Sequence, residues 1–121
     1  MFEVDRYLGK KFHLRDYNCW HFVRDVWFEL TGDMLYDYTP DKLNRHELDL
    51  AAEDATHRFV ALERPVSHTI VLMKRARDTP HIGVMYKGKV LHLRPEGAMY
   101  QPLDVASVGF SKILFYTTRK P

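Results

Sequence analysis

A chain of 121 residues with 45% hydrophobic, 13% aromatic and 28% charged side chains has the composition of a folded domain, which excludes disorder, collagen-like repeats and low-complexity tracts. Its length predicts one domain over residues 1–121 that buries roughly two-thirds of its unfolded surface. Lys and Arg number 18 and Asp and Glu 16, a net charge of +2, too weak a bias to point to nucleic acid.

The N-terminus, Met1-Phe2-Glu3-Val4-Asp5-Arg6, carries acids where an export signal needs basic residues followed by an apolar stretch, so cytoplasmic synthesis is expected. No run approaches the ~18 apolar residues of a membrane span, and no membrane partner is expected. The first strong element is a helix. Cys19, Phe22, Val23, Val26, Trp27 and Leu30 recur at helical spacing, Asp16 or Asn18 can cap the start, and Gly32 can end it in a left-handed cap. A polar loop over Asp33 to Pro40 and a weaker helix over Asp41 to Ala55 follow.

After Ala55 the pattern changes to short β-branched and aromatic runs: Phe59 to Leu62, Thr69 to Met73, Ile82 to Tyr86, Lys89 to Leu93, Met99 to Leu103 and Lys112 to Thr117. Helices first and strands afterwards predict an α+β fold with a mostly antiparallel sheet.

Cys19 is the single cysteine, so the chain can form no internal disulfide, and a zinc site would have to lean on histidines. A lone cysteine is most often a small buried hydrophobe. Here it falls in the first turn of the amphipathic helix, where unpaired N–H groups and the helix dipole favour a thiolate and lower the thiol pKa. The N–H of Cys19 would also serve as an oxyanion donor.

A thiolate nucleophile needs a base brought close in space. The run from His81 to Leu93 reads as a hairpin turning at Lys87-Gly88. With a two-residue loop, Tyr86 faces Lys89, Met85 faces Val90 and Gly83 faces His92. His81 and His92 then share a sheet face as diagonal neighbours, close enough for one imidazole to orient the other. A one-residue slip would put them on opposite faces. A half-buried strand histidine is ordinarily just a satisfied polar group, and the shared face is what singles these two out. His21 follows Cys19 by two positions on one helix and points away from the sulfur. His13, His46, His57 and His68 lack comparable partner geometry.

Other motifs fail. Gly83 to Val90 imitates a phosphate loop, but Val90 stands where Ser or Thr is required. His46-Glu47 lacks the second histidine of a zinc-protease helix, since Leu50 occupies its place. Lys74-Arg75 and Arg77 form a basic turn without interleaved aromatics.

The order of a cysteine at a helix start, a strand opening on histidine, and a second histidine one hairpin strand later resembles the NlpC/P60 family of cysteine peptidases. The matching pieces are Tyr17-Asn18-Cys19-Trp20-His21-Phe22-Val23, Thr69-Ile70-Val71-Leu72-Met73, Pro80-His81-Ile82-Gly83-Val84-Met85-Tyr86 and Val90-Leu91-His92. The family usually carries Asp-Cys-Ser-Gly around the nucleophile, so Asn18, Trp20 and His21 depart from it, and Cys-Trp looks like the branch found in bacteriophage tail assembly proteins. Ser67-His68 stands where the family has Gly-Asp, and Phe12 stands where it has a tyrosine near the oxyanion.

The resemblance implies a papain-like α+β core and a Cys19–His81–His92 triad that hydrolyses peptidoglycan stem-peptide amides without a cofactor or metal. It places Tyr7, Tyr17, Trp20 and His21 around the substrate or oxyanion, with either Tyr7 or Tyr17 replacing the hydroxyl absent at Phe12 or the backbone N–H of Cys19 acting alone. A phage-encoded or tail-associated enzyme with tail-protein partners, located in the virion tail, is the implied setting. Two rival expectations stand beside it: an inert tail component that keeps this fold, and a metal-binding module built from Cys19, His81 and His92.

Overall fold

The computed structural model describes residues 2–14, 16–35, 59–75 and 80–118. The helix expected over Asp41 to Ala55, with His46 and His57, lies outside the described residues, as does Arg77. The described chain is α+β. A short helix α1 (Asp5–Leu8) precedes the long helix α2 (Cys19–Thr31), and six strands follow: β1 (Phe59–Leu62), β2 (His68–Lys74), β3 (His81–Tyr86), β4 (Lys89–Arg94), β5 (Gly97–Pro102) and β6 (Lys112–Thr118). A single helical turn, α3 (Leu103–Ala106), separates β5 from β6. The fifth strand therefore lies earlier than expected. It starts at Gly97, ends at Pro102, which pairs with Lys89, and gives up Leu103 to α3, where Pro102 is the N-cap.

Helix α2 begins where its sequence signals say it should. The Asn18 side chain accepts from the N–H groups of Trp20 and His21, and His21 Nδ1 accepts from the Asn18 N–H at 3.2 Å, a reciprocal capping box. Gly32, at φ +78°, closes the helix in the left-handed conformation, and its N–H donates to the Phe28 carbonyl.

The strands form one antiparallel sheet in the order β1-β6-β2-β3-β4-β5. Both faces are covered, so the central strands are buried throughout their middles instead of alternating. On one face α2 contributes Trp20, Phe22, Val23, Val26 and Trp27, which pack with Ile70, Leu72, Ile82, Val84, Leu91 and Leu93. On the other, Val71, Met73, Met85 and Val90 pack with Ala106 of α3 and with Phe110. His81 and His92 share the parity of this second set, and the first set carries the cysteine helix. Among the described residues no helix is long and apolar enough to cross a membrane.

Candidate active site

The hairpin turns on Lys87 and Gly88, both at positive φ (50° and 84°), the backbone that matches the right-handed twist of the flanking strands. Its register pairs Tyr86 with Lys89, Met85 with Val90 and Gly83 with His92. That register puts the two imidazoles on one face, and they meet. His81 Nε2 lies 2.8 Å from His92 Nδ1, with ring centroids 5.1 Å apart. A third member extends the line, since His92 Nε2 lies 2.9 Å from Oε1 of Gln101 on β5.

His92 is fully buried. Burial disfavours its charged form, as does the Arg94 charge, while the bond to Gln101 pulls the other way. His81 is half-buried and stacks on Phe110, ring centroids 6.1 Å apart and 12° from parallel. The Arg75 guanidinium lies over the same Phe110 ring at 5.0 Å. Burial, the neighbouring His92, and the charges of Arg94 and Arg75 together hold His81 down at about 3. At neutral pH both imidazoles are therefore neutral.

Cys19 occupies the first position of α2. The β3–β4 ladder stops at Gly83 opposite His92, one pair short of Ile82 and Leu93. The backbone N–H of Ile82 faces the sulfur. The cysteine thus lies against the residue that follows His81 in the chain. Among the described residues the sulfur makes no hydrogen bond to either imidazole.

The expected lowering of the thiol pKa is overturned. Burial is the largest influence and pushes Cys19 up to about 11, although the N–H groups of Ile82, Trp20 and Cys19 itself pull it down. Helix position alone is too weak, because its benefit falls below the cost of desolvating a thiolate. At rest Cys19 is a thiol and His81 a neutral imidazole.

The structure places the four residues expected around the substrate in the core and along α2. Trp20 is buried in the core, 1% exposed. His21 spends Nδ1 on the capping box and stacks on Tyr17. The Tyr17 hydroxyl donates to Asp25 Oδ2 at 2.7 Å, and the Tyr7 hydroxyl donates to Glu29 Oε2 at 2.5 Å. At ~1.5 Å of rise per residue, Asp25 and Glu29 stand roughly 9 and 15 Å along the helix axis from Cys19, too far for either hydroxyl to reach an oxyanion there. Phe12 packs against the core. The nearby N–H groups of the helix start are the donors that remain.

Sequence reading missed Gln101, Phe110, Arg75 and Arg94 as neighbours of the histidines. Gln101 had a legible signal. Pro95 and Glu96 form a second two-residue turn between Arg94 and Gly97, and that register sets Val90 opposite Gln101 and His92 opposite Met99. Gln101 is then a diagonal neighbour of His92, as His92 is of His81. Among the described residues no three His, Cys, Asp or Glu side chains are grouped to hold a metal ion.

No protein-family model, curated protein or solved structure matches this chain.

Proposed function

We propose that this chain is a cysteine amidohydrolase of the NlpC/P60 type with a papain-like core, hydrolysing amide bonds in peptidoglycan stem peptides as a phage-encoded or tail-associated enzyme. The observation that carries the reading is the hydrogen-bonded line from His81 to His92, with the thiol of Cys19 at a helix start beside the residue that follows His81. The motif order described above supports the substrate class.

In this mechanism Cys19 attacks the amide carbonyl while His81 takes the thiol proton. The proton moves with the attack, because neither group is charged at rest. The N–H of Cys19 stabilises the oxyanion, His81 returns the proton to the leaving amine, and water then hydrolyses the thioester. His92 holds His81 in orientation. A high-pKa thiolate is intrinsically the better nucleophile once formed, and catalytic hydrogen bonds commonly tighten only with substrate bound.

The test is amine release from stem-peptide fragments by wild type, Cys19→Ala and His81→Ala. Wild type releases amine and both variants do not, with the Cys19→Ala fold unchanged by circular dichroism. Hydrolysis that persists in Cys19→Ala overturns the mechanism.

One observation favours the second reading, an inert component that keeps the fold as an interaction surface. The half-buried thiol is held up and the tyrosine hydroxyls are engaged far from it. That reading expects no hydrolysis by wild type under any condition in which the protein stays folded.

A further inference from the structure

The three side chains on β3, β4 and β5 form one directed line of proton donors and acceptors, and its direction is set at the far end. Oε1 of Gln101 can only accept, so the nitrogen facing it, His92 Nε2, carries the hydrogen. A neutral imidazole carries one hydrogen, which leaves His92 Nδ1 as an acceptor. His81 Nε2, 2.8 Å away, must then donate to it. The remaining nitrogen, His81 Nδ1, is left with its lone pair.

The geometry points to Gln101 as the positioning residue of this site: by accepting from His92 it fixes the Nε2–H tautomer of both imidazoles and keeps Nδ1 of His81 free to take a proton. The catalytic consequence rests on the cysteine hydrolase reading above, whereas the tautomer assignment does not. When the thiol gives up its proton, the S–H bond breaks, an N–H bond forms at His81 Nδ1, and the electron pair left on sulfur makes the new bond to carbon. His81 Nε2–H goes on donating to His92 throughout.

A glutamine suits this task for a physical reason. Glutamate would also accept, but its charge would draw the two histidines toward the imidazolium form, and a protonated His81 is no base. Asparagine is one methylene shorter across a strand-to-strand diagonal of roughly 7–8 Å. The opposite amide orientation would reverse every bond in the line. His92 would donate from Nδ1, His81 would accept at Nε2, and the hydrogen on His81 would sit on Nδ1, which could then no longer act as a base.

The experiment is long-range proton–nitrogen correlation spectroscopy on protein labelled at histidine, at neutral pH, for wild type, Gln101→Glu, Gln101→Met and Gln101→Lys. Both His81 and His92 appear as Nε2–H tautomers in wild type, and in Gln101→Glu His92 keeps its Nε2–H with a part of the population shifted to imidazolium. They become mixed in Gln101→Met, and they turn to Nδ1–H in Gln101→Lys, whose ammonium can only donate. In the hydrolysis assay, kcat of Gln101→Met falls about tenfold with KM unchanged, short of the ~10⁴ loss that a wholly wrong tautomer causes, and Gln101→Glu recovers part of it. An Nδ1–H tautomer of His81 in wild type, or unchanged tautomers in Gln101→Met, overturns the assignment. Wild-type protein with both Nε2–H tautomers and no hydrolysis supports the assignment and removes the enzymatic reading alone.

Discussion

Gly83 stands directly across the ladder from His92, and a Cβ placed on Gly83 would lie 3.0 Å from the Cβ of His92 and 2.8 Å from Cγ1 of Val90. Both neighbours are fully buried on β4 and cannot swing away. The position therefore admits no side chain, for reasons of space and not of backbone angle. Gly83→Ala is expected to cost about 1–3 kcal/mol, the usual cost of overpacking a filled interior, and to push the His92 ring off its 2.8 Å bond with His81. Urea denaturation reads the first effect, and loss of hydrolysis at temperatures where the variant is folded reads the second. A variant as stable as wild type would mean that the strands separate more easily here than the register implies.

His21 separates two roles that the sequence alone confuses. In the structure its ring closes the capping box of α2, so removing it should weaken the helix start and leave the chemistry alone. His21→Ala is expected to lower stability by up to ~1 kcal/mol, and Asn18→Ala by about 1 kcal/mol. His21→Gln, which preserves the reciprocal bond, restores most of the loss. Midpoints of thermal unfolding measure all three. A hydrolysis rate that drops more than tenfold in His21→Gln would return this residue to the substrate site.

The hairpin register was legible because Lys87-Gly88 fixes a two-residue turn and the side-chain period of a strand then does the rest. The helix start was legible for the same kind of reason, since Asn18 and Gly32 are strong local signals. Global pairing was not. Placing β6 between β1 and β2 depends on long-range packing that no local pattern encodes. The burial of Trp20 was legible too, since Val23 and Trp27, three and seven positions on, put it on the buried stripe. The partners of the Tyr7 and Tyr17 hydroxyls, Glu29 and Asp25, were not legible, because those contacts are set by tertiary geometry.

Alkylation of Cys19 tests the neutral resting pair. Burial holds the thiol up at about 11, so the rate with iodoacetamide should climb steadily with pH through the alkaline range and show no plateau near neutrality. Since His81 is uncharged at rest, His81→Ala should change the profile little. Rapid alkylation below pH 7 that vanishes in His81→Ala would instead establish a preformed thiolate–imidazolium pair.

The two histidines also write themselves into stability. Each is held in its neutral form by the fold, with His81 held down at about 3 against an ordinary value of 6.5, and His92 lowered as well. The unfolded chain therefore binds their protons first, and folding stability rises with pH wherever it does so. The contribution is complete above about 6.5 and is lost as pH falls toward 3, with a slope of at most ~1.4 kcal/mol per pH unit for each group. Urea midpoints between pH 4 and 8 should fall on the acid side in wild type, and the fall should be markedly shallower in a His81→Asn, His92→Asn double variant. Because the comparison is of slopes, a lower absolute stability of the variant does not obscure it. Equal slopes in the two proteins would mean that both imidazoles take up protons in the folded state as readily as in the unfolded chain.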